Sequence, residues 1–205
     1  MIDSYDKLTI GKYLELMTIA SDDTLEDIDR NVSLIALLDD KEVDVVYDLP
    51  LSEFNDKIQM TSFLYNEPKP TQVSTIYKLG GMELEAMLDV YSITTGQFID
   101  YQTYVKDSKY LAELLSVFLI PKGKKYNKEY DIIEVQRVIR DNMVITQAMG
   151  LSAFFLHYFK GLLKGTETCL KRKLKKLIKK EKNKERKEDL MTALQSLENS
   201  GVGYL

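Results

Sequence analysis

The feature that most constrains the fold is the spacing of the apolar residues, which follows a helical period along the chain except in one short stretch. Before residue 72 and after residue 93, apolar residues recur every three or four positions, as on one face of an α-helix. Between residues 72 and 88 apolar and polar residues alternate, which is the period of a β-strand. Gly80 and Gly81 divide this stretch and supply the positive φ that a tight turn needs. The sequence therefore predicts a mainly α-helical α+β fold with one β-hairpin.

Three helices and one short helical turn are predicted before the hairpin. Thr9 caps the first helix, because a threonine oxygen accepts hydrogen bonds from the free amides of a first turn. Asp23 or Thr24 caps the second helix, and Pro50 ends the short turn and begins the third helix. The predicted helices cover residues 10–20, 25–38 and 51–63.

Helices return after the hairpin. Thr94 or Thr95 caps the first of them, Pro121 ends the second, and Asp131 caps the third. The segment between Pro121 and Asp131 is a basic loop that carries tyrosines. The predicted helices cover residues 95–105, 110–120, 132–143 and 146–164.

Charge is distributed very unevenly along the chain. The window 160–187 contains 13 basic and 3 acidic residues, a net charge of +10, whereas the rest of the chain carries −14. Leucines recur at heptad-like steps in the first half of this basic segment, and none of the residues 179–189 is apolar. We therefore predict a long basic C-terminal helix, or two collinear helices, in which the first half packs on protein and the second half projects. The predicted regions are 1–70 (helical), 71–92 (hairpin), 93–160 (helical) and 161–205 (basic extension).

The basic segment supplies the candidate functional residues. Its cations are predicted to contact a partner, and its leucines form a predicted packing stripe. The candidate partner-binding residues are Lys171, Arg172, Lys173, Lys175, Lys176, Lys179, Lys180, Lys182, Lys184, Arg186 and Lys187, and the stripe is Leu163, Leu170, Leu174 and Leu177. Three interpretations remain open at this point: neutralisation of nucleic-acid phosphates, docking in an acidic protein groove, or a solvated helix surface.

Residues that support catalysis are scarce. The chain has one histidine, His157, and one cysteine, Cys169, which are too few for a structural zinc site. The carboxylates do not follow the spacing of a calcium loop. We therefore expect no catalytic residue, no cofactor, no metal site and no small-molecule substrate.

A membrane function is a further alternative that the apolar segment 144–163 raises. Its longest uninterrupted run of apolar or small residues, 148–156, has nine residues, whereas a bilayer-spanning helix needs about 20. The segment is therefore expected to form a buried core helix, with a membrane-active helix followed by a basic tail as the alternative. The N-terminal residues do not show the basic-then-apolar order of a secretion signal, so no export is expected.

Four stretches of the sequence resemble a known group of proteins. They are KLTIGKYLEL (7–16), TTGQFIDYQTYV (94–105), PKGKKYNKEYDIIEV (121–135) and AMGLSAFF (148–155). Together they resemble small proteins encoded among the head and tail genes of tailed phages that infect Bacteroidota, including crAss-like phages. The resemblance covers most of residues 7–160, and the basic extension lies outside it.

This resemblance implies a virion structural protein with no enzymatic activity. Within that class it implies an accessory protein at the portal vertex, between capsid and connector, located in the virion after assembly in the host cytoplasm. The implied partners are capsid and portal proteins and copies of the same chain, with non-specific contact to packaged DNA as a further expectation and no membrane partner. A tail assembly chaperone that is absent from the mature particle is one alternative, and a non-specific nucleic-acid-binding accessory protein is another.

Overall fold

The computed structural model describes residues 1–180 and 184–199, apart from the side chains of 160–170, 177, 180, 184, 185, 193 and 196–199. The chain divides into two compact units, Met1–Phe154 and Phe155–Leu205. The helices are α1 (Ile10–Ala20), α2 (Asp27–Asp39), α3 (Val43–Tyr47), α4 (Leu51–Met60), α5 (Thr95–Tyr104), α6 (Leu111–Ser116), α7 (Ile132–Asn142), α8 (Ile145–Lys180) and α9 (Lys184–Asn199). The strands are β1 (Ile76–Leu79), β2 (Met82–Ala86) and β3 (Leu119–Pro121). The predicted α+β, mainly helical fold class is confirmed.

The helices α1 to α4 form the N-terminal part of the first unit. The Thr9 hydroxyl accepts a hydrogen bond from the Lys12 amide at 3.5 Å, so the predicted cap of α1 is confirmed. The predicted cap of α2 is wrong. The Asp22 carboxylate accepts from the Thr24 amide at 2.9 Å, which forms a local turn, and Glu26 takes the N-cap position. The core of this part consists of Val32, Ile35, Ala36, Val46 and Phe54.

The sheet contains the predicted hairpin and one further strand. Leu79 pairs with Met82 across the Gly80–Gly81 turn, which confirms the hairpin. On its other edge β2 pairs antiparallel with β3, where Ala86 lies opposite Leu119. The predicted helix 110–120 is therefore wrong in its second half, since α6 ends at Ser116. Because the segment 117–120 is entirely buried, its uniform apolar character does not distinguish a strand from a helix.

Gln97 closes a capping box at the start of α5 and also connects α5 to the segment between α6 and β3. The Gln97 amide donates to the Thr94 hydroxyl at 3.2 Å, and the Thr94 amide donates to the Gln97 side-chain oxygen at 3.0 Å. The buried Gln97 side chain also donates from Nε2 to the Val117 carbonyl at 2.9 Å. One glutamine thus both begins a helix and satisfies a buried carbonyl before β3.

The beginning of α8 is fixed within the first unit by backbone hydrogen bonds. The Ile145 amide donates to the Leu8 carbonyl at 2.8 Å, directly before α1. The Thr71 amide donates to the Thr146 carbonyl at 3.0 Å, so the polar connector before the hairpin lies against the first turn of α8.

Throughout the part of the chain that the structure describes, no helix combines the length and apolar character needed to cross a membrane.

Candidate functional site

The candidate partner-binding residues lie on α8 and α9 wherever the structure describes them. The side chains of Lys180 and Lys184, and the whole of Lys182, lie outside the described residues. Lys171 is half-buried. The exposed candidates are Arg172, Lys173, Lys175, Lys176, Lys179, Arg186 and Lys187. Basic residues towards the C-terminal end of α8 also interact favourably with the helix dipole, so part of this pattern supports the helix itself.

Five cations form one continuous strip on α8. Lys171, Lys175 and Lys179 are spaced four residues apart, which places them above one another over about 12 Å of helix. Arg172 and Lys176 form the neighbouring row with the same spacing. These five side chains line a shallow, open surface, which we name the basic face. Such a face can accept a row of phosphate or carboxylate groups.

An apolar side adjoins the basic face on the same helix. Leu174 and Ile178 are half-buried and lie one helical turn apart. The side chains of Leu163, Leu170 and Leu177 lie outside the described residues, so the packing stripe stays a prediction. The described part of α8 is therefore amphipathic in an unusual way, with cations rather than mixed polar residues beside the apolar side.

The two units carry opposite net charges. The first unit has 26 acidic and 15 basic residues, a net charge of −11. The second unit has 6 acidic and 13 basic residues, a net charge of +7. All of the acidic excess of the first unit lies in residues 1–67, which contain 16 acidic and 5 basic residues. Each copy of the chain therefore presents a surface of either sign.

A second surface feature lies on α3, where sequence analysis predicted only a short helical turn. Of its five residues only Val46 is buried, in the core shared with α2 and α4. Val43 and Tyr47 are 40% and 53% exposed. Asp44 and Asp48, which follow them in sequence, are exposed as well. We name Val43, Asp44, Tyr47 and Asp48 the α3 ridge.

The position of Tyr47 is fixed by α2. Its hydroxyl donates to the Asp29 carboxylate at 2.6 Å. This hydrogen bond to a carboxylate raises the pKa of Tyr47 above its ordinary value. The exposed ring is thus held in place and neutral, as a preorganised contact residue is.

Tyr126 of the first unit and His157 of the second both contact neighbouring side chains. The Tyr126 hydroxyl donates to the Asp100 carboxylate at 2.6 Å, and burial together with this carboxylate raises the pKa of Tyr126. His157 is exposed and lies edge-on to Tyr158, with ring centroids 5.9 Å apart. Among the described residues, no three or more His, Cys, Asp or Glu side chains are grouped so that they could hold a metal ion.

Two described surfaces combine charged with apolar side chains, an arrangement that is typical of contacts between macromolecules. The basic face accepts anionic groups, and the α3 ridge combines two carboxylates with two apolar side chains. Comparison of the chain with protein-family models, curated protein sequences and solved structures gives no match.

Proposed function

We propose that the chain is a non-enzymatic structural protein of a tailed-phage virion, an accessory protein at the portal vertex where the capsid meets the connector. The basic face is its docking element, and it binds an acidic surface of a neighbouring virion protein. The sequence resemblance supports the virion setting. The observation that carries the docking role is the strip of five cations, in two neighbouring rows, on one side of α8 next to Leu174 and Ile178.

The pairing of cations with an apolar side favours a protein partner over DNA. Exposed ion pairs contribute at most about 1 kcal/mol each and are screened by salt. Full burial of an exposed leucine or isoleucine side chain contributes about 1.5–3 kcal/mol, of which the half-buried Leu174 and Ile178 gain a part, and this term does not depend on salt in the same way. A DNA backbone offers phosphates to the basic face but no apolar surface to Leu174 and Ile178. A protein groove satisfies both sides of the helix.

The test combines protein composition with a charge-neutralised variant. Lys171, Lys175, Lys176 and Lys179 are changed together to Gln, which keeps helix propensity. We expect wild-type protein in purified virions at a fixed copy number by quantitative mass spectrometry, and at least a severalfold lower copy number for the variant.

A matched control variant removes four positive charges from the first unit instead. Lys69, Lys78, Lys125 and Lys128 are exposed lysines of the first unit, and their change to Gln should leave incorporation unchanged. Absence of the wild-type protein from mature particles would refute the virion role and favour the tail assembly chaperone. Normal incorporation of the variant, with salt-sensitive binding of the wild type to duplex DNA, would favour the nucleic-acid-binding alternative.

A further inference from the structure

The α3 ridge is a partly exposed helix face, on which Val43 and Tyr47 are 40% and 53% exposed and both aspartates are exposed. Val43 and Tyr47 lie four residues apart, and so form an apolar row. Asp44 and Asp48 lie four residues apart directly beside it, and so form an acidic row. Exposed apolar side chains held in a fixed position beside charges are typical of contact surfaces rather than of solvated helix faces.

The same two-row pattern occurs on α8 with the opposite charge. Leu174 and Ile178 form an apolar row with a spacing of four residues. Lys175 and Lys179 follow them in sequence and form a cationic row with the same spacing. We name these four residues the α8 seam. Each apolar residue of the α3 ridge and of the α8 seam is therefore followed by a charged residue, negative on α3 and positive on α8.

Helix geometry selects one relative direction for these two surfaces. On a right-handed helix the residue after a given position lies on a fixed side of it when the helix is viewed with its N-terminus down. If two such faces meet in parallel, the apolar row of one lies over the charged row of the other. If they meet antiparallel, apolar row meets apolar row and acidic row meets cationic row. Within each row, successive residues are four positions, or about 6 Å, apart along the helix, and this distance is the same on both helices.

We propose that the α3 ridge of one copy of this chain binds the α8 seam of a second copy, with the two helices antiparallel. This inference rests on the proposed docking role of the basic face and names its partner surface. The two surfaces differ, so the contact is heterologous and each copy uses both. Copies joined in this way form a closed ring, an open array, or a dimer with reciprocal contacts.

A second copy of the chain is the favoured partner of the α3 ridge, because every copy carries the complementary α8 seam. The first unit carries −11 and the second +7, so head-to-tail association brings opposite charges together at every contact. The ridge spans fewer than two helical turns, so a single contact is small and weak, and it is strengthened when several copies close a ring. We therefore expect self-association at micromolar or higher concentration in low salt.

The experiment uses charge reversal on the full chain and measures sedimentation equilibrium at about 50 mM salt, where screening is modest. The ridge variant carries Asp44→Lys and Asp48→Lys, and the seam variant carries Lys175→Glu and Lys179→Glu. Each alone places like charges opposite one another, and should weaken self-association at least about tenfold. An equimolar mixture of the two variants should restore association, because the reversed ridge then faces the reversed seam. Circular dichroism and thermal unfolding verify that each variant is folded.

A matched control reverses two other exposed carboxylates of the first unit, Asp23→Lys and Asp56→Lys, and should associate like the wild type. Failure of the mixture to restore association overturns the proposal, as does a wild-type chain that remains monomeric at several hundred micromolar in low salt. Either result leaves the proposed virion role intact, since incorporation of the protein into particles is measured separately. A ridge variant that associates normally while the seam variant does not places the acidic partner surface elsewhere, and this too overturns the proposal.

Discussion

The first unit and residues 171–179 of α8 differ in the packing and solvent exposure of their residues. In the first unit the Thr71 carbonyl lies directly against Gly150, and the ion pair of Asp39 with Lys57 is shielded from solvent. In α8 between residues 171 and 179 the described side chains are exposed or half-buried, and like charges adjoin one another. Substitutions at such packed or shielded positions of the first unit should therefore change folding, whereas substitutions of exposed cations in the basic face should change association more than folding.

The largest expected effect is at Gly150, in the first turns of α8. A Cβ atom built at this position would lie 2.2 Å from the Thr71 carbonyl oxygen, which is backbone and cannot rotate away. Gly150→Ala should therefore separate the connector from α8 and break the hydrogen bond from the Thr71 amide to Thr146. We expect a loss of about 3 kcal/mol in the free energy of unfolding, measured with urea.

The control for this prediction is Gly96, which lies in the first turn of α5. The nearest atom to a Cβ at Gly96 is the Thr94 hydroxyl oxygen at 3.8 Å, an ordinary contact. Gly96→Ala should change stability by less than about 1 kcal/mol, and in the stabilising direction, because alanine restricts the unfolded chain. Equal losses at both glycines would show that the approach of residue 71 to α8 does not limit stability.

A smaller effect is expected at Asp39, the shielded carboxylate at the end of α2. Lys57 donates to Asp39 at 2.8 Å, and the two side chains are 14% and 10% exposed. This hydrogen bond holds the pKa of Asp39 well below its ordinary value. Asp39→Asn removes the nearer anionic partner of Lys57 and leaves it only Glu53, at 3.9 Å, so it should lower the free energy of unfolding by about 2 kcal/mol at neutral pH.

The pH dependence gives the sign of this contribution. Because the pKa of Asp39 is lower in the folded than in the unfolded state, its stabilisation is complete above the unfolded pKa and is lost as the pH falls below about 4. The difference between wild type and Asp39→Asn should therefore shrink in acid. The exposed pair of Asp3 with Lys7 is the control, since Asp3→Asn should leave the free energy of unfolding almost unchanged. A difference that is independent of pH would refute an ionic origin.

Most of the fold could be predicted from the sequence because local signals and tertiary structure agree. The caps at Thr9, Thr94 and Asp131 and the glycine turn of the hairpin are all local features, and each is confirmed. Strand β3 was not predicted, because its conformation depends on pairing with a strand more than 30 residues away. Its short apolar sequence fits a buried helix equally well.

Of the two candidate surfaces, the basic face was predicted from the sequence and the α3 ridge was not. The cations of α8 are evident from composition, and their one-sided arrangement follows once the segment is known to be helical. The α3 ridge was missed because sequence does not show which of several adjacent apolar residues is buried. In the structure only Val46 of α3 is buried in the core, and Val43 and Tyr47 lie on the surface. Exposed apolar residues in a short helix are thus visible only after the core is known.

The smallest expected effect concerns the repulsion that the basic face builds into α8. Lys176 has four like charges three or four positions away, at Arg172, Lys173, Lys179 and Lys180. Each such pair destabilises a helix by about 0.2–0.5 kcal/mol, less in salt. Lys176→Gln removes four such pairs and should therefore stabilise this part of α8 by about 1 kcal/mol at low salt, which slows amide hydrogen exchange in residues 171–180 about fivefold. Lys69→Gln, which removes an exposed charge from the polar connector, should leave that exchange unchanged. Faster exchange in Lys176→Gln would mean that the lysine stabilises the helix in the free chain. Slower exchange whose difference from the wild type disappears at high salt would mean that like-charge repulsion destabilises the helix, a cost that binding of an anionic partner lowers.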